Sequence, residues 1–178
     1  MKGVRTAARY AKALLMLAKE QNCVEAIVQD ARMIQGLVKE SKDLSILLES
    51  PLIKAEQKST VLEKIFASNV HQLSMGLIKQ ILKQNRERLL GLICEEVLNR
   101  YNEENKIAKV SLSTAVPLEE NAKNQILEQL KAAYQLSAIE LDEHIDESLI
   151  GGIVMRMGDK QLDASIRRQL NDIKKEII

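Results

Sequence analysis

Between Thr6 and Glu20 the apolar residues Ala7, Tyr10, Ala11, Leu14, Leu15 and Ala18 recur at spacings of three, one, three, one and three. That period draws one alanine-rich face of an amphipathic helix. A second helix is expected from Val24 to Glu40, where Val24, Ile27, Val28, Ala31, Ile34, Leu37 and Val38 form a continuous stripe. Ser41 to Glu49 gives a shorter third helix, stopped at Ser50-Pro51 because the residue before proline is pushed out of the α region. Lys54–Phe66 reads as a fourth with Val61, Leu62, Ile65 and Phe66 inward, Gln72–Gln84 as a fifth, and Leu89–Glu103 as a sixth.

Near Asn105-Lys106 the period changes from 3.6 to 2, with Ala108, Val110, Leu112 and Thr114 alternating with Lys109, Ser111 and Ser113. The switch places a domain boundary there. Pro117 is expected to open a helix reaching Gln135, with Leu118, Ala122, Ile126, Leu130 and Ala133 facing in. Ile139, Leu141 and Ile145 read as a further strand. Ile153 to Met157 alternate as a strand, Gly158-Asp159 supplies a tight turn, and Gln161-Leu162 return. Asp163 or Ser165 then caps a last helix, on which Ile166, Leu170, Ile173 and Ile177 make one stripe. The expected architecture is an α-helical six-helix bundle over residues 1–105, followed by a small α+β domain over residues 106–178.

Composition narrows the function classes. The chain has 178 residues, 46% hydrophobic and 29% charged, with Phe66 its only phenylalanine and no tryptophan, so its cores must be aliphatic. Net charge is +1 and basic residues are interspersed with acids, which argues against nucleic acid as a partner. Cys23 and Cys94 have no partner at a metal-ligand spacing and read as free thiols. No run approaches the roughly 18 apolar residues of a membrane span, and the start leads straight into a helix. The expectation is an unprocessed cytoplasmic chain that meets a membrane only through a partner.

His71 and His144 lie in different expected domains, and neither has a neighbour at a triad or metal spacing. Gly151-Gly152 lacks the Lys-Ser/Thr of a phosphate loop, so the two glycines are backbone devices of the hairpin. The acidic group Glu140, Asp142, Glu143, Asp146 and Glu147 lacks the order of a calcium loop and reads as a solvated strand face, docking of a basic helix being the alternative. No catalytic residue, cofactor site or metal site is expected. The small residues Ala7, Ala8, Ala11 and Ala13 beside Tyr10 and Leu14, with Gly76 on the fifth helix, leave either a shallow apolar groove for a partner helix or a place of close packing within the bundle.

The run Asp146-Glu147-Ser148-Leu149-Ile150-Gly151-Gly152-Ile153, the Gly158-Asp159 turn and the Asp163-Ala164-Ser165 helix start resemble the C-terminal signature of the ATP synthase delta subunit family, which includes the mitochondrial oligomycin-sensitivity-conferring protein. The stretch Arg9-Tyr10-Ala11-Lys12-Ala13-Leu14, Ser50-Pro51 with Lys58, Asn85-Arg86 with Leu89, and Thr114 to Leu118 are similar to further motifs of that family. Ala164 departs from it, standing where the family usually has glycine.

The resemblance implies a non-catalytic stator, or peripheral-stalk, subunit of a proton-translocating F-type ATP synthase on the cytoplasmic face of a bacterial plasma membrane. It implies that Tyr10, Ala11, Leu14, Leu77 and Ile81 form a groove for the N-terminal helices of the alpha subunit. It implies likewise that the region of Ile150, Gly151, Gly152, Ile153 and Gly158 meets the C-terminal end of the b-subunit stalk. The rival reading is a helical regulatory adaptor of another complex.

Overall fold

The computed structural model describes residues 2–177, and the chain divides into two compact units, Met1–Tyr101 and Asn102–Ile178. The first holds α1 (Lys2–Glu20), α2 (Val24–Glu40), α3 (Lys42–Glu49), α4 (Ala55–Phe66), α5 (Gln72–Lys83), a single 3-10 turn (Glu87–Leu89) and α6 (Leu90–Glu104). Helix α6 runs three residues past the division, which falls four residues before the expected boundary. Asn102, the first residue of the second unit, donates through its side-chain amide to Glu140 (3.3 Å).

Local chemistry sets the helix ends. Asn22 takes a left-handed φ of 52°, and the N–H of Cys23 returns to the carbonyl of Ala18 (2.9 Å), a Schellman close for α1. Asn85 repeats the device after α5, with Arg86 N–H on the Ile81 carbonyl (2.9 Å). The Ser41 hydroxyl accepts from Leu44 N–H (3.2 Å), so Ser41 caps α3 where the sequence reading put it inside the helix. Helix α1 starts earlier than Thr6 because its first turn has cover: a Cβ on Gly3 would lie 3.3 Å from the side chain of Leu89.

All six helices contribute to one core. Ala7, Ala11 and Ala18 are fully buried among Ile27, Leu62, Phe66, Ile78, Ile81, Leu90 and Ile93. In α4 the inward stripe is Lys58, Leu62 and Phe66, while Val61 and Ile65, expected inward, are exposed. Lys58 is 1% exposed, and its ammonium donates to the Leu48 carbonyl (3.2 Å) and pairs with Glu87 (2.5 Å). One buried cation thus closes the end of α3 and anchors the turn that enters α6. Asp30 of α2 does the same for α5, accepting from His71 N–H (2.8 Å) and the Ser74 hydroxyl (2.6 Å) at the positive end of that helix.

The second unit contains β1 (Ile107–Thr114), α7 (Glu120–Tyr134), β2 (Ala138–Ile145), a 3-10 turn (Glu147–Leu149), β3 (Gly152–Met157), β4 (Lys160–Ser165) and α8 (Ile166–Ile177). The sheet order is β2-β1-β3-β4. Strands β1 and β2 are parallel, with Val110 opposite Leu141, and α7 is the crossover that a parallel pair requires. Strand β3 pairs antiparallel with both neighbours, Met155 lying between Leu112 and Leu162. One sheet face carries Val110, Leu112, Met155, Ile139 and Leu141 against Leu118, Ile126 and Leu130. The alternate positions Lys109, Ser111, Glu140, Asp142 and Arg156 line the opposite, polar face.

Three expectations fail here. Helix α7 begins at Glu120, not Pro117, because the Thr114 hydroxyl donates to the Val116 carbonyl (2.8 Å) and ties that segment to the strand end. Ala133 is exposed, since the inward side of α7 is spent after Leu130. Strand β4 is longer than Gln161-Leu162 because it pairs with β3 along its whole length, so Ala164 is ordinary strand opposite Ile153.

The buried ion pair sets a test. Lys58→Met leaves Glu87 buried without its cation and should cost about 3–5 kcal/mol in urea unfolding, whereas Lys58→Met with Glu87→Leu should recover most of the loss. Equal losses in the two variants would contradict this account.

Candidate functional site

Helices α1 and α5 leave between them an open depression of about 330 Å³. Its walls are Tyr10, Ala13, Leu14 and Leu17 from α1, and Gln72, Leu73, Gly76, Leu77 and Gln80 from α5. The lining is apolar with two neutral amides, and no charged side chain belongs to it. Gly76 deepens it, since a Cβ added there would meet nothing within 4 Å. At one end the Tyr10 hydroxyl donates to Gln84 Oε1 (2.7 Å) and accepts from Arg86 Nη1 (3.3 Å), clasping α1 to the turn after α5.

Of the five groove residues expected from the sequence, Tyr10, Leu14 and Leu77 line this depression. Ala11 and Ile81 do not: both are fully buried in the core. They occupy the middle of their helices' apolar stripes, which the bundle covers, whereas the walls come from the stripe edges. The reading missed Leu17, Leu73, Gln72 and Gln80. Leu17 was detectable, lying three residues past Leu14 on the same side of the helix.

In the second unit the segment Ile150-Gly151-Gly152 is a tightly fitted corner. Ile150 holds a φ of +68°, unusual for a β-branched residue, and Gly152 a φ of +75°. A Cβ on Gly152 would collide with the Ala164 carbonyl, and one on Gly151 would stand 2.6 Å from Ile166 Cδ1. The Gly151 carbonyl accepts from Ile166 N–H (3.0 Å), so this corner seats the start of α8. Ile153 is half-buried in the sheet core, and Gly158, at φ +56°, makes the two-residue hairpin turn with open space around it.

The cap of α8 is Ser165, whose hydroxyl accepts from Arg168 N–H (3.2 Å), while Asp163 Oδ1 accepts from Ser165 N–H (3.0 Å). Hydrogen bonds from Ser165, with the guanidinium groups of Arg168 and Arg167 nearby, hold the Asp163 carboxyl below its ordinary range. The apolar stripe beyond is uncovered: Leu170 is 52% and Ile173 53% exposed, with Ile166 and Ile150 also open to solvent. Ile177, the last residue of that stripe, has no described side chain.

The remaining candidates are structural. Among the acids of β2, Glu143 pairs with Lys123 (2.8 Å) and Glu140 approaches Lys109 (4.0 Å). Asp146 accepts from Ser148 N–H (3.0 Å) and caps the following turn. Among the described residues no three His, Cys, Asp or Glu side chains group as metal ligands would. His71 caps α5, and His144 is exposed beside Asp142 (3.2 Å). Burial, and then the carboxylate of Asp30, push the Cys94 thiol up to about 12, so it is no nucleophile; Cys23 is only half-buried.

The sequence profile of the ATP synthase delta (OSCP) subunit family matches residues 6–177. The ATP synthase subunit delta of Christiangramia forsetii is 38% identical over 177 residues, spanning 99% of this chain and 95% of its own. That of Synechococcus sp. strain JA-3-3Ab is 34% identical over 161 residues, with 90% and 88% covered. The chain belongs to the ATP synthase delta (OSCP) subunit family. It is a non-catalytic stator component of that enzyme. Its fold is shared by a chain in the cryo-EM structure of the Toxoplasma gondii mitochondrial ATP synthase hexamer, with a TM-score of 0.74 at 19% identity over 96% of both chains. Among the described residues no helix is long and apolar enough to cross a membrane.

Two tests follow from the hairpin corner. Gly152→Ala should lower stability by about 2–3 kcal/mol in thermal unfolding, from the disfavoured φ and the displaced Ala164 carbonyl, and a neutral outcome would refute the fit. Because folding lowers the Asp163 pKa, its contribution is complete above the ordinary carboxylate value of about 3.9 and fades as pH falls through the folded one. The gap in urea midpoint between wild type and Asp163→Asn should therefore be largest near neutrality and close in acid.

Proposed function

We propose that the helices of the first unit act as a six-helix bundle that receives an N-terminal helix of the alpha subunit in the α1/α5 groove. The second unit, on this reading, meets the C-terminal end of the b-subunit stalk through the hairpin Ile150 to Gly158 and the open face of α8. The chain then tethers the catalytic head to the peripheral stalk at the cytoplasmic face of a bacterial membrane, which it reaches only through the complex. The observation that carries the proposal is the apolar α1/α5 depression with Gly76 at its centre, shaped for a helix and offering no chemistry.

A tether makes no bonds. It must resist the torque on the head for longer than a catalytic turn, so its demand is a slow off-rate, and nanomolar affinity corresponds to about 12 kcal/mol. A groove with preformed walls suits this, because little order is imposed on the chain when the partner arrives.

Calorimetric titration of the full chain with a synthetic peptide of the same organism's alpha-subunit N-terminus tests the groove. Wild type should bind. Gly76→Leu should fill the depression and weaken binding at least tenfold while leaving the fold as stable or up to about 1 kcal/mol more so, since leucine favours helix over glycine. No binding by wild type, or unchanged binding by Gly76→Leu, overturns the assignment.

A further inference from the structure

The groove is apolar along its length, but basic side chains gather at one of its ends. Tyr10 bonds to Gln84 and Arg86, so one end of the depression gathers the neighbours of those residues in both helices. Arg9 lies four residues before Ala13 on the same face of α1, and Lys83 lies seven past Gly76 on the same face of α5. Both are exposed, and neither makes an ion pair among the described residues. Arg86 reaches the Tyr10 hydroxyl at that end. Leu17 and Leu73 lie about a turn further from the clasp, in their own helices, than Leu14 and Leu77 do. Lys79, one turn from Lys83, is already paired with Glu63 (3.1 Å).

We infer that this groove is polarised, and that it selects an amphipathic helix carrying carboxylates at one end of its apolar stripe, seated over Arg9, Lys83 and Arg86. The inference rests on the groove being a helix-docking site and adds its partner's charge pattern and direction. Apolar walls hold a helix without deciding which way it lies, because leucine side chains accept either direction. Three cations at one end decide it, since the reversed helix would leave its carboxylates beside Leu17 and Leu73 and the cations unpartnered.

The test uses the alpha-subunit N-terminal peptide and a second version with every Asp and Glu replaced by Asn and Gln, titrated into the full chain at 50 and 300 mM salt. Arg9→Gln with Lys83→Gln, both at exposed positions, should weaken the acidic peptide about fivefold at low salt, less at high salt, and leave the neutral peptide unchanged. Equal effects on both peptides, or none on either, overturn the polarised groove. If neither peptide binds wild type, or Gly76→Leu binds as well as wild type, the docking site itself is wrong.

Discussion

An amphipathic helix whose apolar stripe is wider than the surface its own fold offers leaves hydrocarbon in water, at about 25 cal/mol for each Å². Helix α1 shows the constraint plainly. Ala7, Ala11, Leu15 and Ala18 are consumed by the core, while Leu17 and one side of Tyr10 remain for something else. Helix α5 spends Ile78, Ile81 and Leu82 in the same core and presents Leu73, Gly76 and Leu77 outside it. Where two such surplus edges run side by side, a groove is the result. Helix α8 has the larger surplus, with Ile166, Leu170 and Ile173 all open.

Surfaces of this kind are useful only if the helices bearing them are held still, and buried polar groups do part of that holding. Lys58 ties the end of α3 to the entry of α6 through Leu48 and Glu87. Asp30 fixes the start of α5, and so one wall of the groove, by accepting from His71 and Ser74. Such pairs add little net stability against apolar replacements, but a wrong arrangement would leave a charge buried alone. In a chain with a single phenylalanine and few other rings to lock its packing, that penalty against misplacement matters. The second unit uses glycine for the same purpose: no side chain fits between Gly152 and Ala164, so the corner that seats α8 has one geometry.

For a stator, these features replace catalysis. The protein belongs to a family whose members are parts of a machine that performs chemistry elsewhere, and its own Cys94 and histidines are committed to packing, capping or solvent.

Much of this was legible in the sequence. Period 3.6 located six helices because each must bury a stripe, and period 2 located the strands because alternate side chains face one core. The Asp-x-x-Leu-Ile-Gly-Gly run pointed to the family, and the fold gives its second glycine a reason, since a Cβ on Gly152 would collide with the Ala164 carbonyl. Which edge of a stripe stays open was not legible, because burial depends on neighbours distant in the chain. Hence Ala11 and Ile81 vanished into the core, Val61 and Ile65 turned outward, and Lys58 took an inward place that its charge argued against. A lysine is buried only when a carbonyl and a carboxylate, here from residues 48 and 87, meet it there. The sequence by itself determined the elements and the family; the tertiary structure alone decided which apolar edges are left for partners, because only packing brings the covering surfaces together.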